Sequence, residues 1–239
     1  MLGVTRDGDV VVLELQREER RNALNIELCR AIHAAVDDAI DGGARAIVVT
    51  GQGSVFCSGA DLGGVYGPEF LEALYGMLHH LAHVPVPIVA AVNGPAIGAG
   101  TQLAIACDLR VADETARFAV PTAKNGMAVD AWTIRTLAQL AGTGPARRLM
   151  LVAETLDRDE AVRCGLADRA GSLDDAMAWA HKIATLAPLA LAHNKLILNG
   201  SPKDDAAIDA SFEAVWASED VREAAKAREE KRPPVFEGR

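Results

Sequence analysis

Two glycine-containing turns carry the residue pattern best suited to chemistry. Residues 56–62 read FCSGADL, and residues 90–100 read AAVNGPAIGAG. Tight turns and helix N-termini present backbone N–H groups without a partner in the fold, and the helix dipole there favours negative charge. If both turns face one cavity, one N–H from each forms a two-donor oxyanion hole for a polarised carbonyl. The spacing alone also fits two purely structural turns of an α/β protein.

A nucleotide site is the first alternative, because Gly98 and Gly100 follow a predicted strand and open a predicted helix. The third glycine of a GxGxxG fingerprint is absent, since Leu103 occupies its position, and no GxxxxGK[ST] motif occurs. The pattern therefore disfavours a dinucleotide or phosphate-loop site.

Five segments together resemble one family. They are RRNALN at 20–25, the two turns above, CDLR at 107–110 and EKRPPVF at 230–236. Their order and spacing resemble the enoyl-CoA hydratase/isomerase (crotonase) superfamily, over essentially the whole chain. The sequence most resembles mycobacterial enoyl-CoA hydratase-like proteins that lack both catalytic glutamates. The resemblance implies a fatty acyl-CoA thioester as ligand, with no further cofactor and no metal.

The resemblance also implies a set of site residues. The oxyanion donors are the backbone N–H groups of Ala60 and Ala99. Ala99 replaces a glycine common in the family, which the backbone tolerates only where φ is not positive. Residues expected to contact the ligand are Arg20, Arg21, Ala23, Ser58, Ala60, Asp61, Leu62, Gly63, Gly98, Trp132 and Lys231. Two interpretations of Lys231 stay open: it reaches CoA, within one subunit or across a subunit boundary, or it is a solvated charge at a helix end.

The chain departs from the hydratase pattern at both glutamates that handle protons. Their positions hold Gln102 and Thr122. Neither an amide nor an alcohol is a general acid or base near neutral pH. Because each such group contributes roughly 10²- to 10⁴-fold in rate, most hydratase activity should be lost while the oxyanion hole is kept.

Asp130 is the candidate replacement, because some superfamily members, notably haloaryl-CoA dehalogenases, place a catalytic aspartate in this neighbourhood. An aspartate just before a helix is also a common N-cap that needs no chemistry, so both interpretations stay open. Asp61 is interpreted as a structural residue of its turn. His79 and His83 share one helix face at i and i+4, but no third ligand is evident and no metal site is predicted.

The intervening segments alternate as an α/β chain requires. Strands are predicted at 10–15, 46–50, 87–92 and 109–112, with helices at 26–41, 69–82 and 98–107 between them. After Phe118 the pattern is helical, including a helix over 145–153. The resemblance implies a ββα spiral core over residues 1–187 and a C-terminal helical region, 188–239, that builds a homotrimer or a hexamer.

Composition excludes several classes of function. The 239 residues are 50% hydrophobic and 24% charged, which excludes disorder. A net charge of −9 disfavours nucleic-acid and anionic-membrane binding. The four scattered cysteines signal neither zinc nor disulfides. No signal peptide or membrane-spanning segment is evident, so we expect a cytoplasmic protein without membrane insertion.

The sequence thus supports two main hypotheses. The first is an acyl-CoA binding or delivery protein of lipid metabolism with little or no hydratase activity. The second is an active isomerase, hydrolase or slow hydratase that uses Asp130. A purely structural role is a third, which predicts no acyl-CoA binding.

Overall fold

A computed structural model describes residues 1–61, 67–200 and 205–239. The strands in this part of the chain are β1 (Leu2–Asp7), β2 (Val10–Leu15), β3 (Ala46–Gly51), β4 (Ile88–Val92), β5 (Pro95–Ile97), β6 (Leu109–Ala112), β7 (Arg117–Ala119), β8 (Thr155–Asp157) and β9 (Arg169–Ala170). The α-helices are α1 (Ile26–Asp41), α2 (Pro68–His83), α3 (Ala99–Ala106), α4 (Ala131–Ala141), α5 (Thr143–Arg147), α6 (Arg158–Cys164), α7 (Leu173–Ala184), α8 (Pro188–Asn199), α9 (Asp205–Ala217) and α10 (Glu219–Glu230).

The main sheet brings the two glycine-containing turns together. Among the described residues it has six strands in the order β1-β2-β3-β4-β6-β9. β1 and β2 pair antiparallel, whereas the remaining neighbours are parallel. Because the carboxyl ends of parallel strands meet at one edge, the turn after β3 and the turn after β4 lie side by side. A smaller sheet, β5-β7-β8, continues from the second turn.

The central strands β3 and β4 are buried throughout because helices cover both faces of the sheet. Val49 and Ile88 belong to the main core, which also contains the buried faces of α1, α2 and α3. Val48 and Val89, on the opposite face, pack with Ala176 and other residues of α7. Every residue of β3 is buried, as the sequence predicted for 46–50.

Several differences from the predicted elements have local causes. β1 was not predicted, since its last four residues are exposed and therefore lack an apolar pattern. The helix predicted over 145–153 is the short α5 followed by a π-helical turn, Arg148–Val152. β8 and β9 interrupt the segment expected to be helical, and both are too short to show a strand periodicity.

The C-terminal region is helical, and α8 begins at Pro188, the predicted boundary. α8 is anchored to the core by Lys195, which is buried and pairs with Asp108 at 2.7 Å. No residue of α9 is buried. None of the helices in the described residues is long and apolar enough to cross a membrane.

Candidate active site

The turns after β3 and β4 meet at Gly59. Cys57 and Ala96 form a parallel bridge in which Cys57 N donates to Pro95 O at 3.1 Å and Ile97 N donates to Cys57 O at 2.9 Å. Gly59 has a φ of 108°, and a Cβ there would lie 2.8 Å from Ile97 O and 3.7 Å from Ala99 N. A side chain at position 59 would therefore separate the two turns, and only glycine permits this approach.

The backbone N–H groups of Ala60 and Ala99 are available at this junction. Within the part of the chain that the structure describes, neither donates a hydrogen bond to the protein. Ala99 is the first residue of α3, and Gly98 before it takes the positive φ of 56°. Position 99 therefore does not need the positive φ that would require glycine, so alanine is compatible with the backbone there. The structure brings both predicted donors together; their role as an oxyanion hole remains a prediction.

A second set of contacts fixes the Ala60 turn against the segment before α1. Leu24 N donates to Gly59 O, and Asp61 N donates to Leu24 O, each at 2.8 Å. Arg17 pairs with the Asp61 carboxylate at 2.9 Å and donates to Ala23 O. Arg17 was not among the predicted site residues, and the Asp61 contact supports the structural interpretation of that aspartate.

Gln102 lies one helical turn after Ala99 and is buried. Its Nε2 donates to Thr133 Oγ1 at 2.8 Å, and Thr133 Oγ1 in turn donates to Asp130 Oδ1 at 2.6 Å. The residue at the first glutamate position is therefore a hydrogen-bond donor that is engaged with α4.

Asp130 is the N-cap of α4, because its Oδ1 accepts from Thr133 N at 3.0 Å. Its other oxygen lies 3.1 Å from His79 Nε2 on α2. The Asp130 backbone N–H donates to the Tyr75 hydroxyl at 3.1 Å. The cap predicted as one alternative is confirmed, and the same carboxylate also has an imidazole partner, so the two interpretations of Asp130 do not exclude each other.

Sequence reasoning missed the partners of Asp130. It paired His79 with His83, but His83 Nδ1 lies 2.6 Å from the backbone oxygen of His79. The residues that do face Asp130 are Tyr75 and His79, whose i, i+4 spacing puts them on one face of α2. His79 also lies edge-on to Trp132, with ring centroids 5.3 Å apart. The spacing of Tyr75 and His79 was the available signal, but it does not show which residue distant in sequence they contact.

Thr122, at the second glutamate position, begins a 3-10 turn (Ala123–Asn125) and is half-buried. It lies on the wall of a cavity of about 510 Å³ whose lining is mostly apolar and includes Met127, Val129 and Met150. The segment before it is joined to the second turn, since Gly98 N donates to Ala119 O at 2.7 Å. An apolar cavity thus opens beside the second glutamate position.

The remaining predicted CoA contacts lie in different surroundings. Arg20 and Arg21 are exposed, and their guanidinium groups have no partner among the described residues. Ser58 N donates to Arg21 O at 3.0 Å, which places this segment beside the first turn. Lys231 ends α10 with a φ of 54°, and no contact within the described ranges joins it to the turns. Leu62 and Gly63 lie outside the described residues.

Cys57, which lies in the first turn, is not a usable nucleophile. Burial raises the pKa of the Cys57 thiol to about 12, so the thiol stays protonated at neutral pH. The site geometry therefore offers two backbone donors, a buried amide and an aspartate–histidine pair.

Comparison with known proteins defines the class. A family model described as "Enoyl-CoA hydratase/isomerase" matches residues 5–239. The chain belongs to this family, and the family and fold class predicted from the sequence are confirmed.

Individual relatives agree along the full length. A Mycobacterium tuberculosis protein named "Probable enoyl-CoA hydratase echA6" is 49% identical over 246 residues, with all of both chains covered. Its namesake in Mycobacterium leprae is 46% identical over 250 residues, again with full coverage of both. The crystal structure of an enoyl-CoA hydratase from Bacillus anthracis has a TM-score of 0.91 at 27% identity, covering 100% of this chain and 99% of that one.

Proposed function

We propose that this protein binds fatty acyl-CoA thioesters in the cytoplasm and delivers them unchanged within lipid metabolism. The observation that carries the proposal is the pair of unengaged N–H groups of Ala60 and Ala99, beside Gln102 and Thr122 in place of acid–base residues. Two donors would hold the thioester oxygen, while hydration needs a base and an acid in reach of one water. Exposed Arg20 and Arg21 suit the phosphates of CoA.

The first experiment measures binding and chemistry together. Purified protein is incubated with a medium-chain and a long-chain trans-2-enoyl-CoA, and the bound ligand is quantified and identified by mass spectrometry. We expect about one unchanged ligand per chain, displaced by free CoA. Recovery of a 3-hydroxyacyl, isomerised or hydrolysed product would contradict delivery, and absence of saturable binding would contradict the acyl-CoA site itself.

Ala99→Pro tests the oxyanion donor directly. Proline lacks the N–H but is tolerated at the first residue of a helix, which is where Ala99 lies. We expect acyl-CoA affinity to fall at least tenfold, since the donor is lost and the ring occupies its space. Leu173→Pro is the matched control, because Leu173 is the first residue of α7. Equal affinities of the two folded variants would argue against the proposed hole.

An active enzyme is the second candidate, favoured by the 3.1 Å contact between Asp130 and His79. An imidazole next to a carboxylate is a common acid–base arrangement. Asp130→Asn separates the candidates, because asparagine is an equally good N-cap and keeps α4 intact. The enzyme hypothesis predicts a loss of turnover of 10²-fold or more with binding retained. Asp157→Asn, at the N-cap of α6, is the control for capping.

The assembly predicted from the family resemblance also belongs to the proposal. We propose that the chain forms a homotrimer or a dimer of trimers through its C-terminal helices. Support comes from α9, where Phe212 and Trp216 are 53% and 64% exposed. Adjacent exposed aromatic residues of this kind mark interaction surfaces.

A further inference from the structure

A cluster of metal-ligand side chains lies where α1 faces α2, separate from the two turns. His33 and Asp37 are one turn apart on α1, and His80 lies opposite them on α2. His80 Nε2 is 2.8 Å from Asp37 Oδ1, and His33 Nε2 is 3.8 Å from Asp37 Oδ2. One ligand atom from each residue lies within 4.8 Å of the other two.

An ordinary ion pair explains only part of this geometry. The two imidazole rings stack with centroids 3.8 Å apart and an angle of 4° between their planes. Each oxygen of the Asp37 carboxylate faces one imidazole nitrogen, so three potential ligands meet at one place. A cation bound to one nitrogen of each ring and to the carboxylate would engage all three side chains at once.

We propose that His33, Asp37 and His80 form a binding site for a divalent transition-metal ion, of which Zn²⁺ is the representative. With bonds of about 2.1 Å, two ligands of a tetrahedral ion lie about 3.4 Å apart. The two observed distances of 2.8 and 3.8 Å bracket this value. Because each nitrogen lone pair lies in its ring plane, the two stacked rings must tilt towards a common ion, and the partial exposure of these side chains leaves room for that rotation.

The ligand types and the exposure define the ion and its coordination. Imidazole nitrogen selects Zn²⁺, Ni²⁺ or Cu²⁺, whereas Mg²⁺ and Ca²⁺ require oxygen ligands. His33 and Asp37 have 42% and 52% exposed side chains, so water completes the coordination sphere. The ion would link α1 to α2 and is separate from the acyl-CoA site, for which the sequence predicts no metal.

Calorimetric titration with ZnCl₂ and, separately, MgCl₂ tests the site. All proteins carry Cys164→Ser, because Cys164 is the cysteine that is not buried. We expect one Zn²⁺ per chain, no Mg²⁺ binding, and a rise in Tm of about 5 to 10 °C at a hundredfold excess of Zn²⁺ over the dissociation constant. His33→Ala with His80→Ala should weaken Zn²⁺ binding at least 100-fold.

His181→Ala is the matched control, since His181 contacts Asp7 at 3.0 Å and belongs to no three-ligand group within the described residues. It should bind Zn²⁺ like the parent. If the double alanine variant is unstable, Asp37→Asn, at an exposed position, should still lose at least tenfold in affinity. The proposal is overturned if the parent shows no saturable Zn²⁺ binding, or if the folded variants at positions 33, 37 and 80 bind as tightly as His181→Ala.

Discussion

The hydroxyl of Thr133 can donate only one hydrogen bond, and its acceptor is Asp130 Oδ1. The Thr133 hydroxyl oxygen accepts a hydrogen bond from Gln102 Nε2. Position 102 must therefore supply a donor, which an amide does and an ionised carboxylate does not. The glutamine is thus matched to its neighbours, and a glutamate at position 102 would be repelled by the nearby Asp130 carboxylate.

This arrangement predicts how hydratase activity is restored. Gln102→Glu with Thr122→Glu should give detectable hydration of a trans-2-enoyl-CoA, monitored by the loss of enoyl-thioester absorbance. Adding Asp130→Asn should raise the rate further, on the order of tenfold, because it removes the negative charge that repels the carboxylate introduced at position 102. Thr122→Glu alone is the control. A folded triple variant without any activity would mean that positions 102 and 122 do not face one water.

At the scale of elements, α8 is held by a polar contact rather than by a buried apolar face. Lys195 is 5% exposed and donates to Asp108 and to the carbonyl oxygens of Leu81 and Val86. Burial raises the pKa of the Asp108 carboxyl, and Lys195 opposes that rise. Asp108, the aspartate of the CDLR segment, therefore anchors the C-terminal region to the core through Lys195.

Lys195→Met should destabilise the fold in a pH-dependent way. Without its cation, the pKa of Asp108 rises further, so folding favours the protonated carboxyl. The penalty is small near the unfolded pKa of 3.8 and grows as pH rises through the folded value. Near pH 7 we expect a loss of about 3 kcal/mol. Urea unfolding at pH 4 and pH 7 measures this loss of unfolding free energy. Lys182→Met, at an exposed position of α7, is the control. Equal losses at both pH values in Lys195→Met would contradict the explanation.

The C-terminal tail depends on a second ion pair. Hydrogen bonds from Arg232 and from Val235 N lower the pKa of Glu223 to about 2. The contact is complete above the ordinary value of 4.5 and is lost as pH falls from there toward 2. At pH 7, Glu223→Gln should speed hydrogen exchange at Val235 N, whose acceptor is Glu223. Glu219→Gln should not, and unchanged exchange in Glu223→Gln would refute the assigned contact.

Local sequence pattern predicted most helices and strands but not the contacts between them. The fully buried β3 and the capped α1 follow from neighbours in sequence, and Asn25 indeed caps α1. The contact between His79 and Asp130 spans 51 positions. Its position depends on how α2 and α4 pack, which periodicity does not encode. The predicted oxyanion donors could be named because a family motif, rather than their chemistry, marked them.

For the whole molecule, the exposed aromatic residues of α9 predict the assembly. Sedimentation should give a mass of three or six chains for the unmodified protein. Phe212→Asp with Trp216→Asp should reduce that mass, because burying two carboxylates in an apolar contact is unfavourable. Val4→Asp, at another exposed apolar position, is the control. A monomer before substitution would refute the proposed assembly.

The chain of hydrogen bonds from Gln102 through Thr133 and Asp130 to His79 reaches from the buried interior to solvent. Such a chain conducts protons only if its inner end can take one up and release it, and an amide does neither near neutral pH. This chain therefore gives the interior no path to the protons that His79 exchanges with water. A thioester polarised by the two backbone donors should keep its α-hydrogens, and bound acyl-CoA in D₂O should emerge without deuterium.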